Sequence, residues 1–272
     1  MLASKRIINK LRGLYWELSS YKIINVKHLY KCWEANHLKK LLSQYDVDCV
    51  FDVGANFGQY AQMLRNKAHY KGLIISFEPI PEAAKALTEK ALNDPNWIII
   101  EQALSDHDGT QEFNIMRDSQ FSSLSNPRHD EVNRFQHKNK VENSLTIKTE
   151  TLTTAYQRLQ KAHNFTRPFL KMDTQGYDAE IVKHSKAIMT EFIGLQSELA
   201  IKKMYEKSMG YQDALAIYEE CGFSLSAFVP NNEGHFPQLI ETDCIMIRSD
   251  LIQTSPHNNS ETNLQNQSIK YN

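Results

Sequence analysis

The chain has 272 residues, 41% of them hydrophobic and 23% charged, which is enough apolar side chain for a sizeable core and excludes wholesale disorder. One α/β domain of roughly 200–250 residues with terminal extensions fits this length better than two domains. A formal net charge of -1 leaves no overall field to hold a polyanion, so no nucleic-acid partner is expected, and no apolar run approaches the roughly 20 residues of a membrane span.

Residues 1–46 read as a helical extension. Lys5, Arg6, Lys10 and Arg12 lie among Ile7, Ile8, Leu11, Leu14, Tyr15 and Trp16 as a basic amphipathic helix. Such a helix either caps the domain or touches a membrane surface or a partner protein. Residues 1–20 lack the apolar block and small-residue cleavage site of a secretory signal, so a cytoplasmic protein is expected. A second helix, Trp33 to Tyr45, sets Leu38, Leu41 and Leu42 along one face.

The main domain is expected over residues 47–250. Strand-like runs Cys49–Val53, Leu73–Phe77, Trp97–Glu101, Phe169–Asp173 and Phe192–Ser197 alternate with helical stretches, among them Tyr60–Lys67 and Glu82–Leu92, the latter opened by Pro81. Strands separated by helices imply a parallel sheet, because a parallel connection needs a long crossover. Residues 117–143 form a polar insertion, rich in serine and charge, before a β-like run at Leu145–Thr149; a substrate-side flap is expected there. The tail, 251–272, is dominated by Asn, Gln, Ser and Thr from Ser255 onward and is expected to be disordered. Cys32, Cys49, Cys221 and Cys244 form no C-x-x-C pair and read as reduced thiols, Cys49 and Cys244 inside strands.

The strongest chemical signal follows the first strand: Asp52, Val53, Gly54, Ala55, Asn56, Phe57, Gly58, Gln59 and Tyr60. Glycines at a strand-to-helix turn let a ligand approach the backbone, and the helix start offers free N–H groups. A Walker-type loop would need Gly-Lys-Ser/Thr, which is absent, and Asn56 occupies the middle glycine position of a dinucleotide fingerprint. Asp52, an acid in an otherwise apolar strand, also argues against phosphate. S-adenosylmethionine has no phosphate and carries a sulfonium and an ammonium group, so it suits this loop. Glu78, 26 residues beyond Asp52 and followed by Pro79, ends the second strand, where an acid can accept both ribose hydroxyls. Ala103, beyond the third strand, is the candidate for reading the adenine, or is simply a strand end entering a hairpin.

Asp173 ends the fourth strand, where the transferred methyl and its acceptor should meet. It reads as a base for an acceptor hydroxyl, a partner of the cofactor ammonium, or a cap of the next helix. Glu198, at the end of the fifth strand, reaches the same rim and is the second catalytic candidate. A divalent-metal site on these two acids is not favoured, since no further acid or Asn follows Glu198; no metal is expected, and of the histidines only His235 is a candidate.

The succession FDVGANFGQY, ISFEPIPEA, EQALSDHDG, FSSLS, FLKMDTQGYD, LQSELA, CGFSLSAFVP and ETDCIMIR resembles the FkbM-type methyltransferase family over Cys49 to Arg248. The resemblance implies a class I, Rossmann-like methyltransferase fold: a mostly parallel seven-stranded sheet of order 3-2-1-4-5-7-6 with helices on both faces. It implies O-methylation of a hydroxyl on a sugar, glycan or other small molecule. Asp52, Gly54, Asn56 and Gly58 match the family's cofactor loop, Glu78 its ribose acid, and Asp173 with Gly176 its fourth-strand motif. Where the family commonly has Glu, this chain has Gln175, and Gln175→Glu is expected to retain activity. A cofactor-binding scaffold of the same fold and a nicotinamide-dependent oxidoreductase are the alternatives.

Overall fold

The computed structural model describes residues 29–132, 134–230 and 237–253. The basic helix expected around Lys5–Trp16, the tail from Ser255 and His235 lie outside the described residues.

Among the described residues, ten strands and seven α-helices follow one another. Helix α1 (Leu29–Gln44) leads into β1 (Cys49–Val53), and α2 (Gln59–Met63) runs on through a π-helical turn, Leu64–Ala68, to β2 (Leu73–Phe77). Next come α3 (Pro81–Ala91), β3 (Trp97–Ile100), β4 (Ala103–Ser105), β5 (Gly109–Met116), β6 (Val141–Thr151) and α4 (Leu152–His163). The chain continues through β7 (Pro168–Met172), α5 (Asp178–Lys183), β8 (Gly194–Ala200), α6 (Tyr211–Glu220), β9 (Phe223–Pro230), β10 (Glu241–Arg248) and α7 (Ser249–Gln253).

The main sheet has seven strands in the order β3-β2-β1-β7-β8-β10-β9. Counted along this sheet alone, that is 3-2-1-4-5-7-6, the order the resemblance implies. The first five strands run parallel, and β10 is antiparallel to both β8 and β9. The order reverses between β1 and β7, which opens a crevice at their carboxyl ends, where ligands of such sheets bind. Strands β4, β5 and β6 form a separate three-stranded sheet. The predicted strands fall within a few residues of the observed ones, the largest shift being the fifth, which is Gly194–Ala200 rather than Phe192–Ser197.

Alternation along the buried strands sends side chains to two apolar layers. Phe51, Val53, Ile75, Phe77, Leu170 and Met172 pack with Leu159, Ile181 and Tyr218 of α4, α5 and α6 on one face. Val50, Ile74, Phe169 and Ile245 pack with Leu38, Ala61, Leu64 and Leu87 on the other. Helix α1, the described part of the predicted extension, is therefore built into the second layer. Its Leu38, Leu41 and Leu42 are buried as the spacing predicts.

A polar row crosses the middle of this sheet. Parallel register sets Ser76, Asp52, Lys171 and Gln196 side by side on β2, β1, β7 and β8. Ser76 Oγ donates to Asp52 at 3.0 Å and accepts from the Trp97 indole at 2.9 Å. The Lys171 ammonium stands 3.3 Å from the other Asp52 oxygen. Both charges are buried, and each is tolerated because the other is present. Lys171→Met would leave the Asp52 charge uncompensated and should lower the unfolding free energy by about 3–5 kcal/mol. Urea unfolding of the full chain measures this, and a loss under about 1 kcal/mol would contradict the mutual compensation of the two buried charges.

Candidate active site

The carboxyl ends of β1, β2, β7 and β8, with the amino end of antiparallel β10, surround a cavity of about 560 Å³, a volume usual for ligand sites. At one end the loop after β1 places Gly54, Ala55 and Asn56 against it, followed by Gln59 and Tyr60 from the start of α2. Gly54 and Gly58 both adopt positive φ, and so does Asn56 at 48°, a conformation asparagine tolerates. Gly54 has a second constraint: a Cβ there would run into the carbonyl oxygen of Asp173. The cofactor-side loop and the acid at the end of β7 are thus in direct backbone contact.

Glu78 and Pro79 line the cavity beside this loop. Both Glu78 oxygens already accept backbone hydrogen bonds, one from Asn56 N–H at 2.7 Å and one from Ile80 N–H at 2.9 Å. Burial raises its pKa to about 7 against the lowering effect of those two bonds. Each oxygen keeps a further lone pair for a hydroxyl donor. Next to Glu78 an apolar slot is made by Ile80, Ala103, Phe113 and Leu124. Ala103 stands in β4 and lines that slot.

Two residues expected at the cofactor stand outside the cavity. Asp52 is fully buried in β1, turned to Lys171 and Ser76 rather than to the ligand space. Gly58 sits behind the loop, its Cα packed on Leu87 and Trp97. The cationic groups of S-adenosylmethionine make Asp52 a candidate neighbour of the cofactor, but its charge is already answered inside the sheet. Its partner is Lys171, an unassigned lysine in the apolar run of β7 that only strand register brings alongside it.

Across β1 from Glu78, Asp173 and Glu198 face the cavity together. The Gln175 side chain bridges them: its Nε2 donates to Asp173 at 2.7 Å and lies 3.3 Å from Glu198. Burial, then the carboxylates of Glu241, Asp173, Asp243 and Asp178, push Glu198 well above the usual carboxylate range. Asp178, at the start of α5, fixes this corner by accepting from Thr174 N–H at 2.8 Å, Ser197 Oγ at 2.9 Å and Glu198 N–H at 3.1 Å. Burial raises the Asp178 pKa in turn. Gln175→Glu would turn a third carboxylate toward these two.

Lys171, Glu34, Glu241 and Asp243 also line the cavity and were not singled out from the sequence. Gln196 joins them below the floor, donating to Glu34 at 2.9 Å and Asp243 at 2.8 Å and accepting from the Tyr60 hydroxyl at 3.1 Å. The Lys171 ammonium lies 5.2 Å from the centre of the Tyr60 ring, within cation–π range. Burial opposes its charge, but Asp52, Asp173 and Asp243 outweigh that and keep it protonated. Among the described residues no group of three or more His, Cys, Asp or Glu could hold a metal ion.

The insertion meets the cavity through Ser119, Gln120, Phe121, Ser122 and Leu124. It is braced rather than free: Arg128 N–H donates to Met204 O at 2.7 Å, Glu206 N–H to Asn126 O at 3.0 Å, and Ser123 Oγ to Gln175 O at 2.8 Å. A satellite apolar cluster of Met116, Val132, Met204, Tyr205 and Ile240, with Phe121 and Phe135, lies beneath it.

A seven-stranded sheet of this order, with a glycine loop and an acid at the ends of its first two strands, defines a class I methyltransferase. The chain belongs to the FkbM methyltransferase family, whose domain model matches residues 52–225. It is accordingly a methyltransferase that uses S-adenosylmethionine. None of the curated proteins compared with it matches. Among solved structures it is similar to fibrillarin from Aeropyrum pernix with bound S-adenosylmethionine, at 12% identity and a TM-score of 0.45, covering 80% of this chain and 76% of that one. It is also similar to magnesium protoporphyrin IX methyltransferase from Synechocystis, at 11% identity and a TM-score of 0.43, covering 84% and 86%. Among the described residues no helix is long and apolar enough to cross a membrane.

The Glu78 carboxyl gives a pH test of the cofactor end. Ribose hydroxyls donating to it favour the ionised form, so binding should release a proton while the free group titrates near 7. Affinity for S-adenosylmethionine should therefore fall about tenfold from pH 8 to pH 6. Calorimetric titration in buffers of different ionisation enthalpy measures both effects, and Glu78→Gln should flatten the pH dependence while weakening binding.

Proposed function

We infer that the chain transfers the methyl group to a hydroxyl of a sugar, glycan or similar small molecule. The observation that carries this is the pairing of Asp173 and Glu198 at the cavity end away from Glu78, with the proton affinity of Glu198 raised by burial. A hydroxyl is a poor nucleophile until its proton is taken, and a carboxylate with a raised pKa is suited to taking it near neutral pH.

S-adenosylmethionine supplies, when bound, a methyl group on a sulfonium. Gly54, Ala55, Asn56, Gln59 and Tyr60 would hold its amino-acid portion and Glu78 its ribose. The slot of Pro79, Ile80, Ala103 and Phe113 would take the adenine. Asp173 and Glu198 orient the acceptor hydroxyl and receive its proton, so that much of the acceleration comes from alignment of the two reactants. Glu34, Glu241 and Asp243 line the cavity as well, and this acidic lining supports a neutral, hydroxyl-rich acceptor over a phosphorylated one.

The test is release of S-adenosylhomocysteine with a panel of saccharides and phenols, with the new methyl located by carbon NMR. An O-methyl ether is expected; a product methylated on nitrogen or carbon would overturn the reading. Asp173→Asn and Glu198→Gln should each lower kcat by about 10²-fold or more while leaving cofactor binding in place. Because Glu198 must be ionised to accept a proton, activity should rise with pH along a limb lying above the ordinary carboxylate range, and Glu198→Gln should remove that limb.

A further inference from the structure

Two carboxylates that converge need a donor between them; the Lys171 ammonium stands 3.8 Å from Asp173 on one side, and the donor that reaches both acids is an amide. The Gln175 side chain points its nitrogen at both Asp173 and Glu198. Its carbonyl oxygen accepts from the Tyr205 hydroxyl at 2.8 Å. That hydroxyl also reaches the Phe121 carbonyl at 2.9 Å, so its single proton is shared between the insertion and Gln175. Tyr205 is buried among Met116, Met204 and Ile240, which fixes where the hydroxyl stands.

The backbone is committed to the same end. Gln175 adopts φ 54°, which is uncommon for a residue with a side chain, and its carbonyl accepts from Ser123 Oγ of the insertion. The following Gly176 has φ 88°, and a Cβ there would run into Ser208 Oγ and crowd Tyr205. Two elements thus hold Gln175 in an unfavoured conformation whose effect is to aim one NH₂ group at two acids. A neutral amide has two N–H donors and can serve both.

The geometry points to Gln175 as a positioning residue. Its amide holds Asp173 and Glu198 at the acceptor end in the place a divalent cation would otherwise fill, and Tyr205 sets the amide's direction from the insertion. This rests on the proposed role of the two acids, but its test needs no acceptor. Replacing the amide with a third carboxylate would convert the corner into an oxygen-rich shell suited to a hard cation.

Full-length wild type, Gln175→Glu and Gln175→Met are titrated with Mn²⁺, the free ion being read by electron paramagnetic resonance. Each is also titrated with S-adenosylmethionine by calorimetry. Gln175→Glu should bind one Mn²⁺ at least about tenfold more tightly than wild type, as expected when a third oxygen ligand is added, while Gln175→Met gains nothing. Cofactor affinity should stay within about threefold in all three, which reports an intact fold and keeps this test separate from the methyl-acceptor reading. Equal Mn²⁺ affinity in wild type and Gln175→Glu would overturn the inference. So would tight Mn²⁺ binding by wild type that Glu198→Gln abolishes, a result that stands even where Gln175→Glu does not fold.

Discussion

The architecture of this site depends on one buried ion pair, Asp52 with Lys171, set opposite each other by the register of β1 and β7. Each charge would be costly to bury alone, and together they roughly break even, so the pair does not explain stability. What it does is specify. A one-residue slip between β1 and β7 would send both side chains to opposite faces and leave two uncompensated charges in apolar surroundings. The alignment of these strands puts Gly54 against the Asp173 carbonyl and brings the loop after β1 into contact with the end of β7. The lysine also lies 3.8 Å from Asp173 and under Tyr60, so one buried cation balances acids that belong to both ends of the cavity.

Much of this fold was legible in the sequence because its signals are local. Five short β-rich runs separated by helix formers give a parallel sheet, and Gly54, Asn56 and Glu78 sit at strand ends whatever the details of packing. Side-chain partnerships were not legible. Asp52 stood out as an acid in an apolar strand, but nothing local says that residue 171, more than a hundred positions away, answers it. The same limit applies to Gln196, which joins Glu34 of α1 to Asp243 of β10, and to Tyr205, which reaches Gln175 across 30 residues. An isolated lysine inside the run Phe169–Met172 was the one available signal, since lysine is rarely buried without a partner.

The two ends of the cavity are built on different principles. Around Glu78 the backbone does the holding: N–H groups of Asn56 and Ile80 occupy the carboxylate, and side chains add an apolar slot. Around Asp173 and Glu198 side chains do it, through Gln175, Asp178 and Tyr205. A backbone-held end tolerates variation in neighbouring side chains, whereas a side-chain network is sensitive to each of its members.

The insertion rises from β5 and β6, which pair in a small sheet of their own rather than in the seven-stranded one. The cavity wall made by the insertion is therefore not woven into the strands that lead to Gly54, Asp173 and Glu198. Such an arrangement is modular. This one hairpin arm can be lengthened or recoloured without disturbing the backbone contact between Gly54 and Asp173.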